Sequence, residues 1–414
     1  MPLDARWSCV LLVVATAHCA GESGAREYGL DAGPVSVTGA DVFDAPIAGL
    51  DAEAMRNFDL GDRLFGLPLR EYDGLGPLYT RSSCGACHAE GIRGPGLVQK
   101  MVVVEHDGVT PAADQTRLGY GHTVHPLLAA GAQTAIVPPE DDATIKVTIR
   151  VGPPVLGRGY LEAVLDSEIE RVAKEQAERE DAIHGRVNHV VYASEPNPDT
   201  RFHQHRKGDV VIGRFGLKAR IATLDDFTAD ALQGDMGITS PLRPEEFPNP
   251  DALTDDLKPG IDTSIENVNR RAMYVRMLAI PKRNLPEGPG AQLFADAQCA
   301  VCHVPALATR ADYPIAQLAG IQARGFTDLL LHDMGDALAD GITDEQAGAR
   351  DWRTAPLIGV RFNTAFMHDG RAQTIEEAIL AHDGLHSEAH ASVQRYQSLD
   401  ATEQRALLEY VGAL

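Results

Sequence analysis

The stretch Ser82-Ser83-Cys84-Gly85-Ala86-Cys87-His88 recurs in the second half of the chain as Ala297-Gln298-Cys299-Ala300-Val301-Cys302-His303. Both copies read Cys-x-x-Cys-His, which is the attachment motif of c-type haem. The two cysteines can each form a thioether to the haem, and the histidine supplies the proximal imidazole. A thioredoxin-like redox pair or half of a zinc site would not explain the histidine after the second cysteine. The motifs therefore predict two covalently bound c-type haems, attached through Cys84, Cys87, Cys299 and Cys302, with His88 and His303 as iron ligands.

Length and composition agree with two haem domains. A chain of 414 residues with 44% hydrophobic residues can bury a substantial core and is long enough for two domains. Lysine and arginine total 37 against 59 acidic residues, which gives a formal net charge of -22. This charge argues against nucleic acid as a partner and favours solubility or a basic partner protein.

The N-terminus predicts export. A short apolar run, Cys9 to Ala17, follows Arg6 and ends in the small-residue stretch Ala15-Thr16-Ala17, as in a secretory signal. We therefore assign residues 1–19 to a signal and expect the mature protein in the periplasm, where bacteria attach c-type haem. A lipidated Cys19 is the alternative, which would leave a lipid anchor. No later segment has the roughly 18 apolar residues that a transmembrane helix needs.

The rest of the chain divides around the two motifs. We expect a tether over residues 20–58, an N-terminal haem domain over 59–280, a linker over 281–289 and a C-terminal cytochrome c domain over 290–414. The predicted fold class is mainly α, with two cytochrome c-like haem domains. Insertions enlarge the first domain and add short strands near 102–105 and 144–151, where β-branched residues cluster. Apolar periodicity also predicts one long helix over residues 160–182.

His382 is the most informative residue outside the motifs. Thr374 and Glu377 form a capping box that predicts a helix beginning at Ile375. Residues Ile375, Ile379 and His382 would share one face of that helix, so His382 would point inward. The residues alone leave two interpretations open, a core histidine with a satisfied hydrogen bond or an iron ligand.

Several stretches of the chain resemble the di-haem oxidoreductase family of putative peroxidases. This family is sometimes labelled thiol oxidoreductase and is related to bacterial di-haem cytochrome c peroxidases. The resemblance covers residues from about 75 to 414, and its motifs are residues 213–219, 234–240, 328–335, 352–357 and 368–371 with His382.

The resemblance implies that His382 is the second axial ligand of the C-terminal haem, because it lies fourteen residues after His368. That haem would then be a bis-histidine electron store with His303 proximal, and imidazole in place of the usual methionine should lower its potential. Met334 and Met367 are rival ligands, although core packing also explains them.

The resemblance also implies that the N-terminal haem is the site where peroxide is reduced. A loop histidine closes this site in the peroxidases, and His106, His122 and His125 are the candidates here. Cleavage of peroxide needs a group that moves a proton between its oxygens. Family position makes Glu162 the predicted catalytic residue, and a favourable acidic residue in the first turn of a helix is the alternative.

Two departures from the family pattern bear on the chemistry. Leu217 stands where the family commonly has tryptophan, and Trp352 is the only tryptophan besides Trp7, so a tryptophan relay between the haems lacks its residue in the first half. The peroxidases also hold calcium between their domains, and Asn363 and Ala365 stand where threonine and proline are expected. The resemblance thus implies calcium as a further ligand, and these two departures weaken that implication.

The resulting prediction is a periplasmic di-haem c-type oxidoreductase that acts as a peroxidase. Electrons from a small donor protein or cytochrome would enter at the C-terminal haem and pass to the N-terminal haem, where peroxide is reduced. The alternatives are a pure electron-transfer cytochrome and a long-range oxidase of a partner protein.

Overall fold

The computed structural model describes residues 36–37, 44–88, 97–129, 131–253 and 257–414. The predicted secretory signal and the lipidated Cys19 lie outside these residues. Ten α-helices and twelve strands lie within them, and the strands form six separate two-stranded sheets. Helix, including 3-10 turns, accounts for 31% of the described chain, and extended structure for 16%.

The prediction of a mainly α fold with two cytochrome c-like domains is therefore wrong. Most strands are two or three residues long. A strand this short has no room for the alternation of polar and apolar residues that would reveal it in the sequence. Long irregular segments separate these strands, so helix does not dominate the chain.

The helices and strands have the following bounds. The helices are α1 (Ala52–Gly66), α2 (Arg158–Ala163), α3 (Asp166–Ala177), α4 (Leu224–Met236), α5 (Ile265–Met277), α6 (Gly290–Asp296), α7 (Cys299–Cys302), α8 (Ile375–Leu380), α9 (His390–Ser398) and α10 (Ala401–Ala413). The strands are β1 (Ser36–Val37), β2 (Leu78–Tyr79), β3 (Leu97–Val103), β4 (Leu127–Leu128), β5 (Ile145–Val151), β6 (His189–Val191), β7 (Val210–Ile212), β8 (Ile280–Pro281), β9 (Leu307–Ala308), β10 (Gln322–Ala323), β11 (Leu331–Asp333) and β12 (Asp351–Arg353).

Helix α5 is central to the first half, and two helices cross it at glycines. A Cβ atom on Gly61 of α1 would overlap the carbonyl oxygen of Arg270, and one on Gly159 of α2 would overlap that of Arg276. Only glycine fits at such close approaches of two backbones. Helix α1 begins at Ala52, earlier than the predicted domain start at residue 59.

The second half repeats this packing with α6 and α10. Gly290 at the start of α6 lies against the backbone carbonyl of Ala406 in α10. Asp400 and Glu403 form a capping box at the start of α10. In each half, the helix before the Cys-x-x-Cys-His motif thus crosses a later helix at a glycine.

The predicted long helix over residues 160–182 is two helices. The break falls at Val164 and Leu165, whose extended backbone contacts the segment around β9, and the N–H of Leu165 donates to the carbonyl of Ala308 at 3.1 Å. The buried guanidinium of Arg214 donates to the carbonyl of Val164 at 2.8 Å. These tertiary contacts outweigh the helical periodicity of the sequence.

One apolar core serves both halves of the chain. Its largest cluster combines Tyr160, Leu278 and Ile280 from the first half with Leu318 and Leu330 from the second. A second cluster contains Phe294, Leu407 and Val411 beside the second motif. None of the described helices is long and apolar enough to cross a membrane.

Candidate functional site

Each Cys-x-x-Cys-His motif folds into a single helical turn. The N–H of His88 donates to the carbonyl of Cys84 at 2.9 Å, and the N–H of His303 donates to that of Cys299 at the same distance of 2.9 Å. Residues three and four apart lie on one side of such a turn. All four motif cysteines are free of disulfide bonds. Each turn can therefore present two sulfurs and one imidazole to the same ring.

The two motif histidines are held in the state that metal binding requires. The Nδ1 of His88 lies 2.9 Å from the carbonyl oxygen of Pro153, and that of His303 lies 3.1 Å from the carbonyl of Phe326. Each Nδ1–H donates to its carbonyl, so Nε2 keeps its lone pair. Burial lowers the pKa of each imidazole to about 4. Both rings are thus neutral near pH 7.

His382 faces His303. Helix α8 begins after Thr374 with the predicted capping box, and His382 lies in the turn beyond its end. Its Nδ1 donates to the carbonyl of Ala378 at 2.6 Å, and burial lowers its pKa. The ring centroids of His303 and His382 are 6.5 Å apart, with the ring planes at 62°. An iron about 2 Å from a nitrogen of each ring would set the centroids roughly 6 Å apart, so the spacing suits one ion between them.

A cavity of about 270 Å³ separates these two imidazoles and is bordered by Cys299 and Cys302. Its walls are mostly apolar, with Phe294, Trp352, Phe366 and Leu407 among them. A flat apolar ring with two thioethers at its edge and one imidazole on each face matches this arrangement. The residues around the second motif therefore fit a haem.

Met334 and Met367, the rival ligands, also line the cavity. Met367 has a positive φ of 66°, a conformation that is rare for residues other than glycine. Of the three candidates, His382 is the one whose ring stands opposite His303 at the spacing of two axial ligands.

The segment after β5 lies between the two motifs. Val151, Pro153 and Pro154 line the cavity of the second motif, while the carbonyl of Pro153 accepts the hydrogen bond of His88 from the first. A Cβ atom on Gly152 would come within 3.2 Å of the imidazole of His88. This short segment therefore contacts both sites.

Glu162, on α2, lies in a buried network of charged and polar groups. Its carboxylate accepts hydrogen bonds from Arg276 at 2.6 and 2.9 Å, from the hydroxyl of Tyr313 at 2.7 Å and from the N–H of Leu224 at 2.7 Å. Burial alone would raise the pKa of Glu162, but Arg276 outweighs it and holds the pKa below its ordinary value. Glu162 is thus an ionised partner of Arg276, and its predicted catalytic role stays a prediction.

The three candidate loop histidines differ in their surroundings. His106 is exposed, and His122 is half-buried with its Nδ1 bonded to the carbonyl of Met101 at 2.8 Å. His125 is buried, and its Nε2 bonds to the carbonyl of Gly234 at 2.7 Å. Burial lowers the pKa of His125. Which of them closes the first site stays a prediction.

Sequence reasoning missed a carboxylate pair that holds His332 beside the second motif. Nε2 of His332 lies 2.9 Å from Asp328, and Nδ1 lies 2.7 Å from Glu388 and 3.7 Å from the sulfur of Cys302. Two carboxylate acceptors require both ring nitrogens to donate, so His332 is a cation. The spacing of Asp328 and His332 was a usable signal, whereas nothing in the sequence points to Glu388. The ligand types of Cys302, Asp328 and His332 also suit a metal ion, but these hydrogen bonds account for their approach.

A second missed group surrounds Trp352. Its ring stacks on His368, with centroids 3.9 Å apart, and Nζ of the fully buried Lys218 lies 4.1 Å from the ring centroid. Burial lowers the pKa of Lys218 to about 8. Leu217, which replaces the tryptophan typical of the resemblance, lines the cavity. Asn363, named for calcium, also lines it.

Residues 139–414 match the model of a family described as "Di-haem oxidoreductase, putative peroxidase". No curated protein matches the chain significantly. The match to the family includes the second motif, His382, Glu162 and Arg158 and begins after the first motif.

Three solved structures are similar to the chain. A hydrazine synthase of Kuenenia stuttgartiensis is 13% identical, with full coverage (100%) of both chains and a TM-score of 0.36. The di-haem peroxidase BthA of Burkholderia thailandensis is 13% identical over 94% of both chains, with a TM-score of 0.36. A variant of BthA is 14% identical over 85% of this chain and 77% of its own, with a TM-score of 0.33. The family assignment depends on the family match alone.

Proposed function

The chain belongs to the di-haem oxidoreductase family of putative peroxidases, and from this premise we propose that it is a c-type peroxidase with two haems of unequal function. The resemblance predicted from the motifs is thus confirmed, as is the prediction of an oxidoreductase. The observation that carries the proposal is the pair of imidazoles, His303 and His382, facing each other at 6.5 Å across an apolar cavity beside two cysteines.

Covalent attachment is proposed at both motifs, through Cys84 and Cys87 and through Cys299 and Cys302. The matching turns, with the same His-to-Cys hydrogen bond at 2.9 Å, support this assignment. When bound, haem supplies one-electron redox chemistry and an iron that can bind peroxide if one axial position is open. The chain's own residues decide which iron has that open position.

The second site is proposed as the electron store, where His303 and His382 would both bind the haem iron. Both imidazoles are neutral and have their Nδ1 bonded to a backbone carbonyl, which aims the lone pair of Nε2 at the cavity. Two ligands from the protein leave no position for peroxide. This site would therefore accept and pass electrons.

The first site, at His88, is proposed to reduce peroxide with electrons that enter at the second. The segment Val151–Pro154 supports electron transfer between the sites, because it lines the second cavity and its Pro153 carbonyl bonds to His88. A hydrogen bond and a few covalent bonds thus connect the two sites without a tryptophan.

Glu162 is proposed to move the proton that peroxide cleavage requires. Its carboxylate is ionised and can accept a proton, and the hydroxyl of Tyr313 is bonded to it at 2.7 Å. Arg276 would fix the orientation of that carboxylate through its two hydrogen bonds. General acid–base catalysis of this type contributes about 10²–10⁴-fold to a rate.

The remaining proposals concern surroundings rather than chemistry. The proposed electron donor is a small protein, and the proposed substrate is hydrogen peroxide. The proposed location is the periplasm, reached through the signal over residues 1–19, with a lipid anchor at Cys19 as the alternative. A net charge of -22 favours a basic donor. Calcium near Asn363 follows from the family resemblance only.

The test is peroxide consumption by the purified protein with a reduced small cytochrome as donor. We expect one peroxide to be consumed for every two electrons taken from the donor. The variant Cys84→Ser/Cys87→Ser, which lacks the first attachment site, should lose this activity while the second haem stays reducible. No peroxide consumption by the wild type would favour a pure electron-transfer cytochrome. Consumption without a donor, but with oxidation of a partner protein, would favour the long-range oxidase.

A further inference from the structure

Two buried arginines in the wall of the second cavity have no acidic partner. Arg158, at the start of α2, and Arg353, at the end of β12, are each only 8% exposed, and both line the cavity. Among the described residues, neither has a carboxylate within ion-pair distance. Burying an unpaired charge in a protein costs on the order of several kcal/mol. Asp328 acts on Arg353 from beyond ion-pair distance, and an anion inside the cavity would balance both charges.

The hydrogen bonds of the two guanidinium groups are incomplete. Arg158 donates from Nε to the carbonyl of Pro154 at 2.8 Å, while its Nη1 is buried without a partner. Arg353 donates only to backbone carbonyls, those of Gly216 at 2.9 Å and of Thr354 at 3.0 Å. Burial lowers the pKa of Arg158 to about 9 and that of Arg353 to about 10, and the charge of Arg353 contributes to the lowering at Arg158.

A third polar group of the same wall is also unsatisfied. The hydroxyl of Thr354 is buried and has no hydrogen-bond partner, and Thr354 lines the cavity beside Arg353. Glu388 is the one acidic residue in the lining, and it is already bonded to His332 at 2.7 Å. A single group with more than one oxygen inside the cavity would satisfy these donors together.

We propose that Arg158, Arg353 and Thr354 bind the propionate groups of the haem at the second motif and fix the charge around it. This inference rests on the proposed haem at Cys299 and Cys302. A propionate is a carboxylate, which is the acceptor that a guanidinium recognises best. The propionates are the charged substituents of the ring, and the rest of the cavity wall is mostly apolar.

Arg158 also links this charge to the first motif. Its guanidinium and the imidazole of His88 are held by successive carbonyls, those of Pro154 and Pro153. The propionate that it binds would therefore lie on the side of the second haem that faces the first.

The test is a comparison of Arg158→Met with Arg283→Met in the haem-loaded protein. Arg283 is the control, because it is buried to 2% exposure, has an unsatisfied Nη1 and lies outside the cavity lining. Arg158→Met should lower the equilibrium constant for reduction of the low-spin haem at least tenfold, which is about 59 mV for one electron. It should also shift the propionate bending band in the resonance Raman spectrum.

Two further variants guard against misfolding. Thr354→Val has the same shape and charge and should shift the Raman band alone, and Arg158→Lys should restore most of the potential. The inference is overturned if the band and the potential match the wild type in both Arg158→Met and Thr354→Val, or if Arg283→Met has equal effects. A wild-type protein without any c-type haem in its alkaline pyridine spectrum would instead overturn the proposed function.

Discussion

At the scale of single residues, the three predicted iron ligands share one local arrangement. His88, His303 and His382 each direct Nδ1 to a backbone carbonyl, at 2.9, 3.1 and 2.6 Å. This bond selects the tautomer with a free lone pair on Nε2. His332 differs because carboxylates engage both of its nitrogens, which makes it a cation and excludes it as a ligand.

Replacing His382 by alanine tests the second axial ligand. We expect His382→Ala to convert one low-spin centre to high spin, because a strong-field imidazole is lost and alanine offers no ligand. Optical and paramagnetic resonance spectra of the oxidised protein would measure the change. Met367→Leu is the matched control, since it keeps the volume of a side chain in the same cavity. An unchanged spectrum in His382→Ala, or a change in Met367→Leu instead, would remove His382 as a ligand.

Replacing Glu162 by glutamine tests both roles of this residue. Glu162→Gln weakens the charged hydrogen bonds to Arg276, but Arg276 keeps Asp225 as a second buried partner at 2.8 Å. The free energy of unfolding at pH 7, measured by denaturant titration, should therefore fall by about 1.5–3 kcal/mol. Peroxide turnover by the folded variant should fall about 100-fold. Glu175→Gln is the control, because Glu175 forms an exposed ion pair with Arg171 and should cost less than about 0.5 kcal/mol. Full turnover in destabilised Glu162→Gln would make the residue purely structural.

The pH dependence of this stability has a definite sign. The pKa of Glu162 in the folded chain lies below its ordinary value, which is about 4.3 in an unfolded chain. The stabilisation from its charge is therefore complete above that value and is lost as the pH falls through the lower folded pKa. The difference between wild type and Glu162→Gln should shrink over the same range.

The sequence singles out the residues proposed for haem attachment, but not the residues around them. Spacing alone selects Cys84, His88 and their counterparts, because thioether formation requires that spacing. The capping box at Thr374 predicted where α8 begins, and His382 lies just beyond its end. Arg158 and Arg353 gave no signal, since the cavity that unites them forms only when distant segments pack.

At the scale of elements, glycines set how closely the helices cross. Gly61 and Gly159 meet the backbone of α5, and Gly290 meets that of α10. Without a side chain, each pair of helices can approach more closely than ordinary packing allows. The positions of Arg158 and Glu162 depend on this close approach, because both residues lie on α2.

Gly159→Ala should therefore be destabilising, because its Cβ atom would overlap the carbonyl oxygen of Arg276. We expect a loss of about 1–3 kcal/mol or more in the free energy of unfolding. Gly234→Ala is the control, since it lies within α4 with nothing within 4 Å of the added atom, and should stabilise the protein by about 0.5–1 kcal/mol. Equal stability of Gly159→Ala and the wild type would contradict the packing of α2 on α5.

The sequence predicted the elements that have a strong local signal. The capping box at Thr374 predicted the start of α8, and β-branched residues over 144–151 predicted β5 (Ile145–Val151). The two-residue pairs such as β2 with β4 arise from chain segments brought together by the tertiary fold. The prediction of a single helix over residues 160–182 was wrong for the same reason, because Leu165 bonds to Ala308, which is distant in the sequence.

At the scale of the whole molecule, the halves that carry the two motifs pack on one apolar core. The largest apolar cluster crosses the predicted linker over 281–289, and strand β8 at its start pairs with β1. The segment Val151–Pro154 contacts both motif sites. A shared core holds the two sites in a fixed relation, as electron transfer between them would require.

The surface charge predicts how the donor is recognised. With a net charge of -22, the protein should attract a basic donor by long-range electrostatics. We expect the second-order rate of electron transfer from a small basic cytochrome c to fall at least tenfold between low and physiological ionic strength. An acidic cytochrome is the control and should be slow at low salt. A salt-independent rate with the basic donor would contradict this form of recognition.

The most direct test of the account is a reductive titration of the purified wild-type protein, followed by optical and paramagnetic resonance spectra. We predict two c-type haems per chain, of which one stays low-spin throughout and is reduced first. The other should then become high-spin and react with added peroxide. A single haem per chain, or two spectroscopically identical haems that ignore peroxide, would contradict the claim that the two sites have different functions.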